Sequence, residues 1–151
     1  MRALVQRVSQ ARVTVDGVVR GEIGTGFLVL VCAMAEDTDA EARWLAGKIA
    51  ACRIFKDAGN KMNLSLAAVG GAVLVVSQFT LAAEGCESGN RPGFSAAADA
   101  VKGKLLYEVF CAALEAAGLV VGRGIFGADM QVALVNDGPV TIWFDTAVKS
   151  G

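Results

Sequence analysis

Asn136-Asp-Gly-Pro-Val-Thr141 is the stretch that decides the fold, because it lies between two segments whose apolar residues alternate. Such alternation is the pattern of β-strands with one buried face. Asn-Asp-Gly is a strong turn signal, whereas the proline after it removes a hydrogen-bond donor where a returning strand would begin to pair. The stretch is therefore either an ordinary hairpin tip or a rigid backbone device. The alternating residues are Met130, Val132 and Leu134 before it and Val140, Ile142 and Phe144 after it.

The segments on the N-terminal side of this stretch predict a mixed sheet and about two helices in one α/β domain. A capping box, Thr38 to Glu41, predicts a helix over about residues 38–52. A second helix is predicted after Ser95, which could cap it, and Gly118 ends it. Asp16-Gly17 predicts a hairpin. The other predicted strands cover residues 4–8, 13–15, 18–23, 27–34, 53–55, 72–76, 119–121 and 130–144.

Histidine is absent, and this absence restricts the chemistry more than any other feature of the composition. It excludes Ser-His-Asp and Cys-His catalysis and nearly every catalytic zinc site. The four cysteines lie far apart without a C-x-x-C pair, which argues against a zinc site and a disulfide framework. We therefore expect no metal ion and no other cofactor. Any catalysis must work without imidazole.

Length and apolar patterning indicate a cytoplasmic protein with no membrane partner. The longest apolar run, residues 27–34, is far shorter than the roughly 18 residues that suggest a membrane span. Gln6 and Arg7 interrupt the start of the chain before a signal-peptide segment could form. Apolar residues make up 54% of the chain, and the surplus belongs either to a subunit interface or to a core rich in Ala, Val and Leu.

The net charge of −1 gives no global basic surface, so a nucleic-acid partner would have to bind at a local patch.

Polar side chains interrupt the apolar pattern where the predicted strand 72–76 ends. Ser77, Gln78 and Thr80 follow it. Polar groups at the end of a core strand must be hydrogen-bonded or must take part in binding or catalysis. A hydroxyl nucleophile needs a base beside it, and the sequence shows none near Thr80. Backbone N–H groups at the strand end could instead form an oxyanion hole. The structural alternative is that these hydroxyls only bond neighbouring backbone, and that residues 136–141 are only a turn.

Six segments in order along nearly the whole chain resemble the D-aminoacyl-tRNA deacylases, formerly called D-tyrosyl-tRNA deacylases. Val75-Val-Ser-Gln-Phe-Thr-Leu81 or the Asn136–Thr141 stretch alone is a weak signal, but both together, with Phe126-Gly-Ala-Asp-Met130 between them, are specific. The expected fold class is α/β: a single domain over residues 1–151, with mixed and antiparallel β-sheets in a barrel-like layer and about two helices packed on one side. The other segments are Met1–Val8, Lys61–Ser65 and Arg91-Pro92.

The resemblance implies a homodimeric hydrolase whose two active sites lie at the subunit interface, each holding the 3′-terminal adenosine of a D-aminoacyl-tRNA. It implies that Gly138-Pro139 is a cis peptide that reaches into the partner's site and screens chirality. Arg7 would brace that segment, and the backbone around Phe79 and Thr80 would hold the ester carbonyl. The implied catalytic residues are Ser77, Gln78, Phe79 and Thr80; those implied to bind substrate or select chirality are Arg7, Met130, Asn136, Gly138, Pro139 and Thr141.

The implied function is proofreading in translation: the enzyme would release D-amino acids, and glycine from mischarged tRNA, while rejecting L-aminoacyl-tRNA. DNA is not an expected partner. Two mechanisms are compatible with the resemblance, one with Thr80 as nucleophile and one in which the tRNA's own 2′-hydroxyl takes part. The missing histidine favours the second mechanism.

The loop of residues 82–90 departs from the family's pattern. The family usually carries an aromatic residue, an aspartate and two or more basic residues there, whereas this loop is acidic and about one residue longer. Contacts between this loop and tRNA are therefore in doubt, and Arg91, Lys102 and Lys104 would carry more of the attraction to phosphate. The alternative function is a non-catalytic dimeric module of the same fold that binds RNA or another ligand.

Overall fold

Strand β1 (Arg2–Val15) organises the sheet in the computed structural model, which describes residues 1–148. One edge of β1 pairs antiparallel with β8 (Gln131–Asp145) along nearly its whole length. The first half of its other edge pairs with β3 (Gly26–Cys32), and the second half pairs with β2 (Val18–Ile23). Strands β6 (Ala72–Ser77) and β7 (Val121–Arg123) continue the sheet beyond β3 in parallel. Because β2 also contacts β6 and β7, the mixed sheet nearly closes into a barrel.

Two helices and a small hairpin complete the regular structure. The helices are α1 (Asp39–Ala50) and α2 (Ala100–Ala116), which pack against each other. Strands β4 (Arg53–Lys56) and β5 (Met62–Ser65) form a separate two-stranded sheet. Short 3₁₀ turns occupy Ala67–Val69, Phe79–Ala82 and Thr146–Val148.

The sheet buries both of its faces, one against the helices and one inside the curl of the strands. Alternate residues of β3 divide between these two cores: Phe27, Val29 and Val31 face the helices, and Leu28 faces the interior of the barrel. This division explains why residues 27–34 are continuously apolar, as the sequence predicted for a strand buried on both faces. At Gly26 a side chain cannot be accommodated, because a Cβ atom would lie 1.8 Å from the carbonyl oxygen of Ala72 on β6.

The ends of the helices follow their capping residues. The capping box is present at α1: the side chain of Thr38 caps the first turn, and the Glu41 carboxylate accepts from the Thr38 amide at 2.9 Å. The proposed cap of the second helix was misplaced, since α2 begins after Asp99, whose carboxylate accepts from the Lys102 amide at 2.9 Å. Ser95 therefore belongs to the preceding loop.

Residues 136–140 form an excursion within one strand, so the hairpin reading of this stretch is wrong. Both alternating segments belong to β8 and pair with β1 in the same direction. Between the pairs Gln6–Thr141 and Val8–Asn136, one residue of β1 faces four residues of β8, as in a very wide bulge. The Gly138-Pro139 peptide bond is cis, as the resemblance implied.

The predicted fold class is confirmed: the described chain is an α/β unit with a mixed, barrel-like sheet and two α-helices on one side. No helix within residues 1–148 is long and apolar enough to cross a bilayer.

Candidate active site

A cavity of about 550 Å³ opens beside the ends of β3 and β6, and its volume is that of a typical small-molecule site. Four of the predicted site residues line it. Ser77, Gln78 and Phe79 come from the end of β6, and Met130 comes from the residue before β8. The remaining wall is mostly apolar and includes Phe94, Ala97, Ala98, Tyr107 and Phe126.

The 3₁₀ turn Phe79–Ala82 forms the edge of this cavity. Its first amide groups, those of Phe79 and Thr80, have no acceptor inside the turn, because the first N–H groups of any helical turn lack one. The Phe79 ring is 58% exposed and packs edge-on against Phe94, with 5.2 Å between ring centroids. Thr80 is exposed beside the cavity, and its hydroxyl accepts a hydrogen bond from the side-chain amide of Gln78. The turn thus offers backbone donors next to an apolar chamber.

A thiol and a phenol of the cavity wall, those of Cys32 and Tyr107, are held neutral by burial. Burial raises the pKa of the Cys32 thiol, although the nearby Arg2 guanidinium opposes that shift. Burial also raises the pKa of the Tyr107 hydroxyl, which donates to the carbonyl of Val75 at 2.9 Å. Neither group can serve as a base near neutral pH. Among residues 1–148, no cluster of His, Cys, Asp and Glu side chains is placed to hold a metal ion.

Arg7 holds the base of the excursion in β8. Although it is charged, its side chain is only 4% exposed. Its Nε donates to the carbonyl of Asp137 at 3.0 Å, and its Nη1 donates to the carbonyl of Ile54 on β4 at 2.6 Å. The side-chain amide of Asn136 donates to the carbonyls of Arg7 and Val140, both at 3.0 Å. These bonds fix both ends of the segment that carries Gly138.

Gly138 and Pro139 lie at the exposed tip of this segment. Gly138 has φ of 147°, and a Cβ atom there would lie 2.6 Å from the amide nitrogen of Val140 and 2.7 Å from its Cγ2. Only glycine fits this backbone. Thr141 resumes pairing with β1, and its hydroxyl accepts from the side-chain amide of Gln6 at 3.3 Å.

The predicted site residues therefore form two groups that are separated within one chain. Arg7 pairs with Phe27 on β3, whereas the amide of Gln78 donates to the carbonyl of Val31 at 2.8 Å. These points are four residues apart on β3, or about 13 Å along a strand. One group surrounds the cavity and its 3₁₀ turn; the other, around Gly138, lies at the opposite end of the same strands.

Three contacts in the site were not anticipated from the sequence. Arg2 donates through Nη1 to the carbonyl of Leu81 at 2.9 Å. The Cys32 thiol lies 3.6 Å from the carbonyl of Phe79, and the Phe94 ring packs against the Phe79 ring. Each joins segments that are distant in the chain, so no local spacing indicates it. The only sequence signal was the position of Arg2 inside the Met1–Val8 segment.

Comparisons with known proteins show which family the chain is similar to. Residues 4–145 match the family model described as D-Tyr-tRNA(Tyr) deacylase. A D-aminoacyl-tRNA deacylase from Ruegeria pomeroyi is 64% identical over 145 residues, which are 96% of this chain and 99% of that protein. A solved structure described as a c-Myc DNA Unwinding Element Binding Protein is 38% identical, with a TM-score of 0.89, and the match covers 97% of this chain and 99% of that one. A probable eukaryotic D-amino acid tRNA deacylase shares the fold, with a TM-score of 0.81 at 20% identity over 95% of this chain and 97% of that one.

Proposed function

Because the chain belongs to the D-Tyr-tRNA(Tyr) deacylase family, we propose that it removes D-amino acids from tRNA by hydrolysing the ester that joins them. The observation that carries this proposal is the family match over residues 4–145, since it includes both groups of site residues. In the reaction, water adds to the ester carbonyl, the bond from that carbon to the ribose oxygen breaks, and the products are a free D-amino acid and uncharged tRNA.

The active enzyme in this proposal is a homodimer in which each site combines the two groups from different subunits. The cavity and Phe79–Ala82 turn of one subunit would receive the Gly138-Pro139 tip of the other. Two observations support this arrangement: the points at which the two groups meet β3 are four residues, or about 13 Å, apart along that strand, and the tip is exposed yet firmly braced by Arg7. Exposed apolar side chains, including Val135 and Trp143 of β8, provide surface that a partner subunit can cover.

Backbone donors would supply the catalytic stabilisation. The amides of Phe79 and Thr80 would bind the carbonyl oxygen as it gains negative charge, which is the role of an oxyanion hole. The Cys32 thiol and the Tyr107 hydroxyl of the cavity wall stay neutral, and the Asp99 carboxylate, which also lines the cavity, caps helix α2 by accepting from the Lys102 amide. The 2′-hydroxyl of the terminal ribose would therefore assist the attacking water. In this mechanism the substrate supplies the group that the protein, without histidine, does not have.

Selection of the D-enantiomer would depend on the backbone of the Gly138-Pro139 tip. A backbone held at both ends by Arg7 and Asn136 cannot move aside as a side chain can. If it occupies the position of an L side chain, L-aminoacyl-tRNA is rejected by a steric clash. Glycine carries only hydrogen in that direction, so glycyl-tRNA would be accepted together with D-aminoacyl-tRNA.

Contacts to the tRNA body would be few. In the loop that follows the Phe79–Ala82 turn, Glu84 and Glu87 are exposed and acidic. Arg91 and Lys104 are exposed cations near that loop in sequence, while the Lys102 ammonium donates to the carbonyl of Ala35. We propose that these three residues provide the main attraction to phosphate.

A deacylation assay with D-tyrosyl-, L-tyrosyl- and glycyl-tRNA tests the function. We expect hydrolysis of the D- and glycyl esters and none of the L ester above the rate of spontaneous hydrolysis. Binding of charged tRNA without hydrolysis would refute the proposal and identify the chain as the non-catalytic binding module.

A further inference from the structure

We infer that Arg2 is a positioning residue for the reaction: its guanidinium holds the Phe79–Ala82 turn so that the backbone donors of Phe79 and Thr80 face the substrate carbonyl. This inference rests on the proposed function, since it assigns a role in the same site. It adds a residue whose charge acts on the backbone of the turn and not on the substrate.

The guanidinium of Arg2 is fixed from two sides. Its Nη1 donates to the carbonyl of Leu81 at 2.9 Å, and its Nε donates to the carboxylate of Asp145 at 3.3 Å. The other carboxylate oxygen of Asp145 accepts from the amide of Ala147 at 2.9 Å. Because the end of β8 thus orients Arg2, the bond to Leu81 transmits the position of the sheet to the turn.

The other contacts of the turn are apolar or neutral: Ala82 is buried, and the Phe79 ring packs against Phe94. Phe79 and Thr80 themselves are exposed. Two other contacts tie the turn to the sheet: the amide of Gln78 donates to Val31, and the Cys32 thiol, a weak donor, lies 3.6 Å from the carbonyl of Phe79. Hydrogen bonds from an ionised donor are roughly twice as strong as neutral ones. Among the hydrogen bonds that tie the turn to the sheet within residues 1–148, the bond from Arg2 to Leu81 is the one with an ionised donor.

The same strand uses a second arginine in the same manner at the other half of the site. Arg7 of β1 donates to the carbonyl of Asp137, as Arg2 donates to that of Leu81. Each arginine binds a main-chain oxygen of a segment that meets substrate in the proposed function. Strand β1 thereby connects the Phe79–Ala82 turn to the Gly138-Pro139 tip, which selects chirality in the proposed function.

Replacement of Arg2 tests this role, with Arg12 of the same strand as the matched control. Arg2→Met removes the donor and keeps the length of the side chain, and we expect kcat for D-tyrosyl-tRNA to fall about 10- to 100-fold, as misplacement of catalytic groups by fractions of an ångström predicts. Arg2→Lys keeps one charged donor and should restore a large part of kcat. Arg12→Met should leave kcat and KM unchanged. Thermal unfolding of each variant shows whether it is folded.

A substrate without phosphates separates positioning from tRNA binding. The ester of D-tyrosine with adenosine should lose the same factor in kcat with Arg2→Met as the full tRNA does. If only the tRNA reaction is affected, and through KM, Arg2 contacts phosphate and the inference is wrong. If Arg2→Met does not fold, Asp145→Asn leaves the arginine in place but unanchored, and a smaller loss in kcat with unchanged KM is expected.

The outcomes distinguish this inference from the function on which it rests. An inactive wild-type protein refutes the proposed function. An active wild-type protein with fully active and folded Arg2→Met and Asp145→Asn variants refutes the inference alone.

Discussion

At the scale of single residues, the surroundings of Thr80 argue against a covalent mechanism. Its hydroxyl is exposed, and its partner is the side-chain amide of Gln78, which donates to it. An amide cannot remove the proton of the hydroxyl, so nothing in this contact activates Thr80 as a nucleophile. The amide nitrogen of Thr80, by contrast, is one of the first donors of the 3₁₀ turn.

We therefore predict that Thr80→Ala retains activity, with kcat/KM for D-tyrosyl-tRNA within about tenfold of wild type. The backbone donor survives this change, and only an unactivated hydroxyl is lost. Steady-state kinetics on the folded variant measure it, and a loss of several orders of magnitude would restore Thr80 as the nucleophile.

Phe79→Pro provides the contrasting variant, because it deletes a backbone donor. Proline is tolerated at the first position of a helical turn, and Gln78 before it already lies outside the helical region that proline disfavours, with φ of −140° and ψ of 78°. We expect a loss of about 10²- to 10³-fold in kcat, the usual effect of removing one oxyanion donor. Phe79→Ala removes the same ring but keeps the amide, so it is the control.

Gly138 gives the second prediction at this scale. In Gly138→Ala, the new methyl group would overlap the amide nitrogen and Cγ2 of Val140 at 2.6 and 2.7 Å, and φ of 147° is a strained backbone for alanine. The tip must therefore shift, and we expect kcat/KM to fall about 100-fold, as for other small misplacements in an active site.

Gly89→Ala is the matched control for this change. No heavy atom lies within 4 Å of a Cβ at Gly89, so its activity should equal that of the wild type. Circular dichroism checks that both variants are folded. An active Gly138→Ala variant would contradict the role assigned to the tip.

At the scale of elements, the excursion in β8 shows where local sequence patterns stop being informative. Alternation correctly predicted strands on both sides of residues 136–140, but alternation carries no direction. Whether the chain reverses there depends on pairing with β1, which lies at the other end of the chain. Arg7 was similarly beyond local inference, since its partners on β4 and β8 are 47 and 130 residues away. Its role came from the family resemblance.

Helix ends show the same limit on a smaller scale. The complete capping box at Thr38 was recognised because both of its partners lie within four residues. Ser95 and Asp99 are both good capping residues, and the sequence alone did not show which one begins α2. Packing of the loop decides, since the amide of Ala98 donates to the carbonyl of Ala33 at the end of β3.

The acidic loop after the Phe79–Ala82 turn leads to a prediction about salt. Glu84 and Glu87 repel phosphate, so we expect few phosphate contacts. The slope of log K against log salt is about −0.7 to −0.9 per phosphate contact, so the affinity for charged tRNA should fall only gently as salt increases. Filter binding between low and physiological salt measures the slope. The double variant Glu84→Lys/Glu87→Lys should bind more tightly, with a steeper slope. A steep slope in the wild type would reveal a basic surface elsewhere.

At the scale of the whole molecule, the fold class could be predicted from the sequence, but the cavity and the arrangement of the site residues around it could not. Strand alternation and two amphipathic segments were enough to predict an α/β unit with a mixed sheet. The cavity requires the curl of the sheet, which depends on contacts of β2 with β6 and β7 that no pattern encodes. The two site groups lie at opposite ends of β3, and this separation could be recognised only from the pairing of the strands.

Mixed dimers test whether these groups meet between subunits. Gly138→Ala and Phe79→Pro chains, each expected to lose about 100-fold or more of the activity alone, should recover about a quarter of the wild-type activity when co-expressed. Half of randomly assorted dimers are mixed, and each mixed dimer contains one site with both groups intact. Sedimentation should show that wild-type and mixed samples are dimers. Absence of recovery in verified mixed dimers, or a fully active monomer, would refute the shared site.

The spacing of the two arginines on β1 has a consequence for how the gene can change. Arg2 and Arg7 are five residues apart on a strand that pairs with β3 without interruption, so their side chains leave opposite faces of the sheet. Loss or gain of one codon between them would turn both side chains to the same face, and one of the two carbonyls would lose its donor. Length variation among descendants of this gene should therefore accumulate in the loop of residues 82–90 and be excluded from residues 3–6.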